Sequence, residues 1–282
     1  MMTRALFAVA FAVLLSSFTL AGEAPKLRFV WQKNAATTYR VIQTTTVQET
    51  TLDEQSKKPV DITTVTKSTI GKKWVVKAVE TDGSATLEMI TTALKQEINQ
   101  TAGDAKPVLR VFDSDNADDA KAMSFLNKPI FTLKVDPMGK ISEVKSDNPI
   151  AGDRLQADLP FKLHLPDAAP MANSTWERTF ELKLPPPLGT GEKFDATQKY
   201  TFRGMNKDFA IVGVTTALKA PPDDAAVMPA IVPMLWEGDV FFNAKTGQYH
   251  GAKLAIKKEI ANHQGEGTKF RYTSEYTEAL EK

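Results

Sequence analysis

Apolar and polar residues take turns along most of this chain, and a period of two dictates extended backbone. Tyr39, Val41 and Val47 fall on odd positions, with Arg40, Thr44 and Gln48 on even ones. Ala85, Leu87 and Met89 alternate with Ser84, Thr86 and Glu88, and Phe180, Leu182 and Leu184 with Thr179, Glu181 and Lys183. Tyr200 with Phe202 and Phe270 with Tyr272 repeat the pattern. Strands with one dry and one wet face belong to antiparallel sheet, because parallel sheets are covered on both faces. Thr and Val are plentiful, and their branched Cβ suits a pleated surface.

Turn chemistry punctuates the pattern. Asp82-Gly83 separates a strand around Trp74–Glu80 from one around Ala85–Gln96. Asp136-Pro137-Met138-Gly139 has proline second and glycine fourth, a type I turn signal. Asn243-Ala244-Lys245-Thr246-Gly247 marks another turn ahead of Tyr249–Lys257. Thr38–Thr50 and Ser84–Ile98 have room for ten residues or more of strand, about 33 Å at ~3.3 Å per residue. Sheets twist, so long meandering strands curl. The expected fold is mainly β, with long antiparallel strands forming two curved sheets or half-barrels and one or two short helices.

The helix candidates are Ala117–Leu126, capped by Asp113, Ser114 or Asp115, and Ala225–Leu235, which Pro229 and Pro233 interrupt. The expected organisation is a targeting segment over 1–21, a first β half over 22–147, a proline-rich linker over 148–175 and a second β half over 176–282. Tyr39, Asp61-Ile62-Thr63 and Trp74 in the first half are echoed by Trp176, Asp195-Ala196-Thr197 and Phe209 in the second. Each half ends in a strand–turn–glycine–strand unit, around Gly139 and Gly247, which suggests a tandem duplication.

One basic residue, Arg4, precedes the apolar run Ala5–Leu20, and small residues follow at Ala21 and Gly22. That is the layout of a signal peptide, too short for the ~20 residues of a membrane span. The chain is therefore expected to be exported, to periplasm or medium, with no transmembrane segment once processed. It has no cysteine, so disulfides, thiol nucleophiles and thiolate metal sites are excluded. Without Arg4 the basic residues number 34 (35 − 1) against 34 acidic ones. A neutral chain has no long-range field to gather phosphate backbones, and no basic stripe supplies one locally, so nucleic acid is not an expected partner.

No motif points to catalysis, a cofactor or a metal. Asp113, Asp115, Asp118 and Asp119 lie close together, but an EF-hand loop counted from Asp113 finds Asp118 where glycine belongs and Ser124 where glutamate belongs. They read as a helix cap on a solvated loop. His164, His250 and His263 lie in different elements without metal spacing, and read as surface or turn residues. There is no GxSxG elbow and no phosphate loop. The one segment set apart as a candidate is Ala225–Trp236. Its Val227, Met228, Ile231, Met234, Leu235 and Trp236 put much apolar surface on a proline-broken stretch. Such a segment either plugs the second sheet or forms a flap over a hydrophobic ligand, with methionine giving adaptable contacts.

Several stretches resemble a family of exported bacterial proteins defined only as a domain of unknown function. They are Leu27–Val30 with Tyr39-Arg40-Val41, Val111–Asp115, Phe131–Asp136 with Gly139-Lys140-Ile141, Leu165-Pro166 ahead of Trp176, and Gly238–Phe242 with Thr246-Gly247. The resemblance implies export and a β-rich fold, and brings no activity or site residue. More remotely, long strands with an apolar flap look like periplasmic carriers of lipoproteins and lipids, whose half-open barrel shelters acyl chains. The expected function is a non-enzymatic binding or scaffold protein of the bacterial envelope, with a hydrophobic ligand or an envelope protein as partner. A lipid or lipoprotein carrier is the alternative. A carbohydrate or peptide hydrolase with dispersed catalytic residues comes third.

Overall fold

The protein is described from a computed structural model covering residues 25–52, 58–146, 163–184, 186 and 189–281. The targeting segment and most of the proline-rich linker lie outside these residues. The strands are β1 (Ala36–Leu52), β2 (Pro59–Val79), β3 (Ala85–Ala102), β4 (Val108–Asp113), β5 (Pro129–Val135), β6 (Ile141–Lys145), β7 (Thr175–Leu184), β8 (Glu192–Asn206), β9 (Phe209–Leu218), β10 (Glu237–Asn243), β11 (Gln248–Ala261) and β12 (Lys269–Leu280). Helix α1 (Ala117–Ala122) follows β4, and α2 (Met228–Ile231) lies between β9 and β10.

Antiparallel pairing is the expectation, and it holds throughout. All twelve strands, however, join one sheet rather than two, eleven of them in the order β6-β5-β3-β2-β1-β12-β11-β10-β9-β8-β7 and β4 beside β3 off this path. The strands of both expected halves share it, through the pairing of β1 with β12 from Tyr39↔Leu280 to Thr50↔Lys269. β3 is long enough to serve two neighbours. It pairs β5 along Ala85–Ile90 and β4 along Lys95–Gln100.

Alternation decides the inward face. Tyr39 and Val41 of β1 share it with Trp74 of β2, Leu87 of β3, Leu133 of β5 and Phe270, Tyr272 and Tyr276 of β12, all buried. Charged side chains such as Arg40, Lys253 and Glu275 take the other face. Irregular chain, rather than a second sheet, packs against the inward face. Leu27 and Phe29 come from the segment before β1, Leu163 and Leu165 from the chain ahead of β7, and Val232 and Trp236 from the β9–β10 connection. All are buried in one cluster with the strands.

Two of the three turns read from sequence, Asp136–Gly139 and Asn243–Gly247, are built as their residues require. The Asp136 carboxylate accepts the N–H groups of Met138 and Lys140 at 2.9 and 2.8 Å. Gly139 follows at φ 85°, where a Cβ would meet the Leu163 carbonyl oxygen. Asn243 caps the β10–β11 turn, accepting from Lys245 and Thr246 at 3.0 Å. The segment before β1 ties the two turns together. Phe29 N–H donates to the Pro137 carbonyl at 2.7 Å, and Val30 N–H to the Gly247 carbonyl at 2.9 Å.

Helix α1 ends four residues before the expected Leu126, and its cap is Asn116. The Asn116 side chain accepts from Asp118 and Asp119 N–H, so the three residues expected as caps stand outside it. The second candidate breaks into three short turns over 225–234, since Pro229 and Pro233 each sit at the start of a new turn.

Candidate functional site

Polar chemistry inside the sheet centres on Glu278. Its side chain is fully buried on the inward face of β12, and Oε1 lies 2.8 Å from Lys72 Nζ. Its other oxygen accepts the hydroxyls of Tyr249 and Tyr276 at 2.8 and 3.0 Å. Tyr39 donates to the Tyr249 carbonyl at 2.9 Å. Burial first, then the Glu278 carboxylate, pushes the phenols of Tyr39, Tyr249 and Tyr276 well above their ordinary range. All three stay protonated donors, Tyr249 and Tyr276 to the carboxylate and Tyr39 to the Tyr249 carbonyl.

A pH dependence follows. On unfolding the phenols return to about 10. Below that pH both states keep the proton and the phenols contribute their full stability. Above it the unfolded chain releases protons that the folded chain retains, so stability falls. Resistance to urea should therefore fall steeply above about pH 10. Phenolate absorbance from these residues at an ordinary tyrosine pH, with the protein still folded, would contradict the geometry.

Beside this cluster is a cavity of about 60 Å³, lined by Phe29, Trp31, Tyr39, Trp74, Leu87 and Tyr249 among others. The buried Trp31 indole N–H has no partner. The space suits a few waters, against ~300–1,000 Å³ for a ligand pocket. A shallow groove of about 550 Å³ lies elsewhere, between β7, β8 and the 219–223 turn, but Glu181, Lys193, Asp195 and Lys219 make it charged. Among the described residues no three His, Asp or Glu side chains are grouped to hold a metal, and no helix is long and apolar enough to cross a membrane.

The six flap candidates lie along one inner wedge. Ile231, Met234, Leu235 and Trp236 are buried, and Val227 and Met228 are half-buried. Ile231, Met234 and Leu235 pack on Leu182 and Leu184 of β7 and Ala196 of β8. Trp236 turns to the main cluster, with its ring 5.5 Å from that of Tyr276. The 60 Å³ cavity is lined by none of the six. The acidic residues at 113–119 are consumed locally. Asp119 accepts Asp113 N–H, Asp113 accepts Asp115 N–H, and Lys95 pairs with Asp113 at 3.0 Å. His250 lies exposed on β11 against Phe209. His263 corrects the surface reading. It is 3% exposed, packed on Phe270, with Nε2 3.0 Å from Glu49. No local spacing announces this pair, because Glu49 is 214 residues away.

Farther along β1–β3 the inward face changes character. Gln43, Thr45 and Ser274 bond to one another, Gln96 to Ser68, and Gln100 to Thr64. These cross-strand pairs satisfy their own polar groups.

The sheet's ends differ in their defence. β7 turns Glu177, Glu181 and Lys183 outward, and β6 carries Glu143 and Lys145, charges that discourage edge-to-edge pairing. β4 does not. Val108, Leu109, Val111 and Phe112 are 42–63% exposed in a run of five. β4 pairs only β3, so its far side is open among the described residues. Sequence reading missed this edge, although Val-Leu-Arg-Val-Phe with too few polar positions for a wet face was its visible signal.

No family model matches the chain, and no curated protein matches it. The family resemblance read from sequence thus gains no support. Among solved structures the chain superposes on lipovitellin, in a structure describing that protein's lipid–protein interactions. The TM-score is 0.45 at 12% identity, over 89% of this chain and 25% of that one. The chain thus spans about a quarter of that protein's length.

Proposed function

We propose that this chain is an exported, non-enzymatic binding or scaffold module of the bacterial envelope, and that it binds through its outer edge rather than an internal cavity. One observation carries this reading. Among the described residues the inward face is packed over much of its area by irregular segments of the same chain and carries self-satisfied polar pairs farther along, while four apolar side chains stand exposed on an edge strand whose exposed run holds a single charge, Arg110. A carrier of acyl chains needs the reverse, an empty apolar interior and a polar rim. Export is part of the proposal and is carried by the Arg4–Gly22 pattern.

A native mass spectrum of the protein purified from its own envelope tests it. The expected masses are the processed chain alone and the chain with a protein partner. A stoichiometric lipid retained through purification would overturn the reading in favour of the carrier, and an unprocessed chain would overturn export.

A further inference from the structure

The geometry points to the free edge of β4 as a docking site for an extended peptide segment of another protein, one with an acidic residue at its centre and apolar residues around it, added as a further antiparallel strand. This deepens the binding reading above and rests on it. In an antiparallel ladder successive residues turn their N–H and C=O groups to opposite sides. Ser114 N–H donates to the Leu94 carbonyl at 2.8 Å, and the register runs on through Phe112↔Gln96, Arg110↔Ile98 and Val108↔Gln100. The even residues therefore bond to β3. Leu109 and Val111 turn their backbone groups outward, where a peptide strand can take them.

The same strand rejects a second copy of itself. Pairing two copies through Leu109 and Val111 sets Arg110 directly against its own counterpart, and like charges at opposed positions are destabilising. Sliding one step back brings in Pro107, which has no N–H to give. Sliding one step forward calls on Asp113, whose N–H already donates to Asp119 Oδ2 at 2.9 Å. What repels a copy selects a complement. Arg110 is exposed and has no ion-pair partner among the described residues. A carboxylate opposite it satisfies its charge, with apolar residues facing Val108 and Phe112 on that side and Leu109 and Val111 on the other.

The test uses the purified chain and two fluorescein-labelled peptides, Thr-Val-Ile-Glu-Val-Ile-Thr and its counterpart with lysine for glutamate, followed by fluorescence anisotropy. The glutamate peptide should bind, with the lysine peptide about tenfold weaker. Arg110→Glu, an exposed change that leaves folding intact, should reverse that order. Val111→Pro removes one outward N–H and should abolish binding, with circular dichroism confirming the fold. Equal binding of both peptides, binding by neither, or an order unmoved by Arg110→Glu would overturn the assignment. So would a dimer of the chain dissolved by Val111→Pro, which would make the occupant a second copy. The two readings fail differently. A partner still present in the native spectrum of the Val111→Pro protein leaves the binding reading standing and removes the edge, whereas retained lipid removes the binding reading itself.

Discussion

Lys72→Met should lower the stability of the fold by about 3–5 kcal/mol, because it strands a carboxylate inside the sheet. The Glu278 side chain is fully buried and the Lys72 side chain 10% exposed, so solvent cannot take over the lost partner. The pair also spans a whole strand, β1. Lys72 stands opposite Tyr39 on β1, and Glu278 opposite Val41 two residues on, so the 2.8 Å contact crosses β1 diagonally. Removing both charges together, Lys72→Met with Glu278→Leu, should recover much of the loss, since a buried ion pair exchanged for well-packed apolar groups is often near neutral. The remaining cost belongs to the hydroxyls of Tyr249 and Tyr276, which lose their acceptor. Urea unfolding of the two single variants and the double variant measures the coupling. A loss below about 1 kcal/mol for Lys72→Met would show that the charges are not buried as described.

Phe29→Ala should cost a similar amount, about 3–5 kcal/mol, for a different reason. Phe29 is 5% exposed, stacked on Trp31 at 5.0 Å and edge-on to Phe242 at 5.1 Å. Backbone bonds to the Pro137 and Gly247 carbonyls pin its segment on both sides, so the surroundings have little freedom to collapse into the vacated space. The hole would instead enlarge the 60 Å³ cavity that Phe29 already lines. Protease cleavage within 25–35 should rise in parallel, because this ring anchors the segment under the sheet. Denaturant melts with limited proteolysis give the answer. A variant as stable and as resistant as the parent would mean that the segment is held by its backbone bonds alone.

How much of this was legible follows from what is local. Tyr39, Val41, Leu87, Phe202 and Tyr272 were placed inward by parity alone, and all are buried. Asp136–Gly139 and Asn243–Gly247 were read as turns because their carboxylate, amide and glycine needs are met within five residues. The inner layer was not legible. Leu27 and Phe29, like Leu163 and Leu165, alternate as strand residues do yet lie in irregular chain, and only the position of the sheet shows what covers what. Lys72 and Glu278 are 206 residues apart and on strands that do not touch, so no spacing rule finds them. The β4 edge was half visible. Its composition was on the page, but its openness depends on β3 changing partners between Ile90 and Lys95, which pairing decides and sequence does not.

The twelfth strand is also the middle of the sheet. β12 lies between β1 and β11, joined to β1 by contacts such as Tyr39 with Leu280 that close a loop of 241 residues (280 − 39). Contacts of that span are slow to form. A newly made chain therefore cannot complete its centre until β12 is free to insert, and until then the strand-forming stretches on either side each present a raw inner border. Removing this strand would not trim a margin. It would split the molecule along its spine.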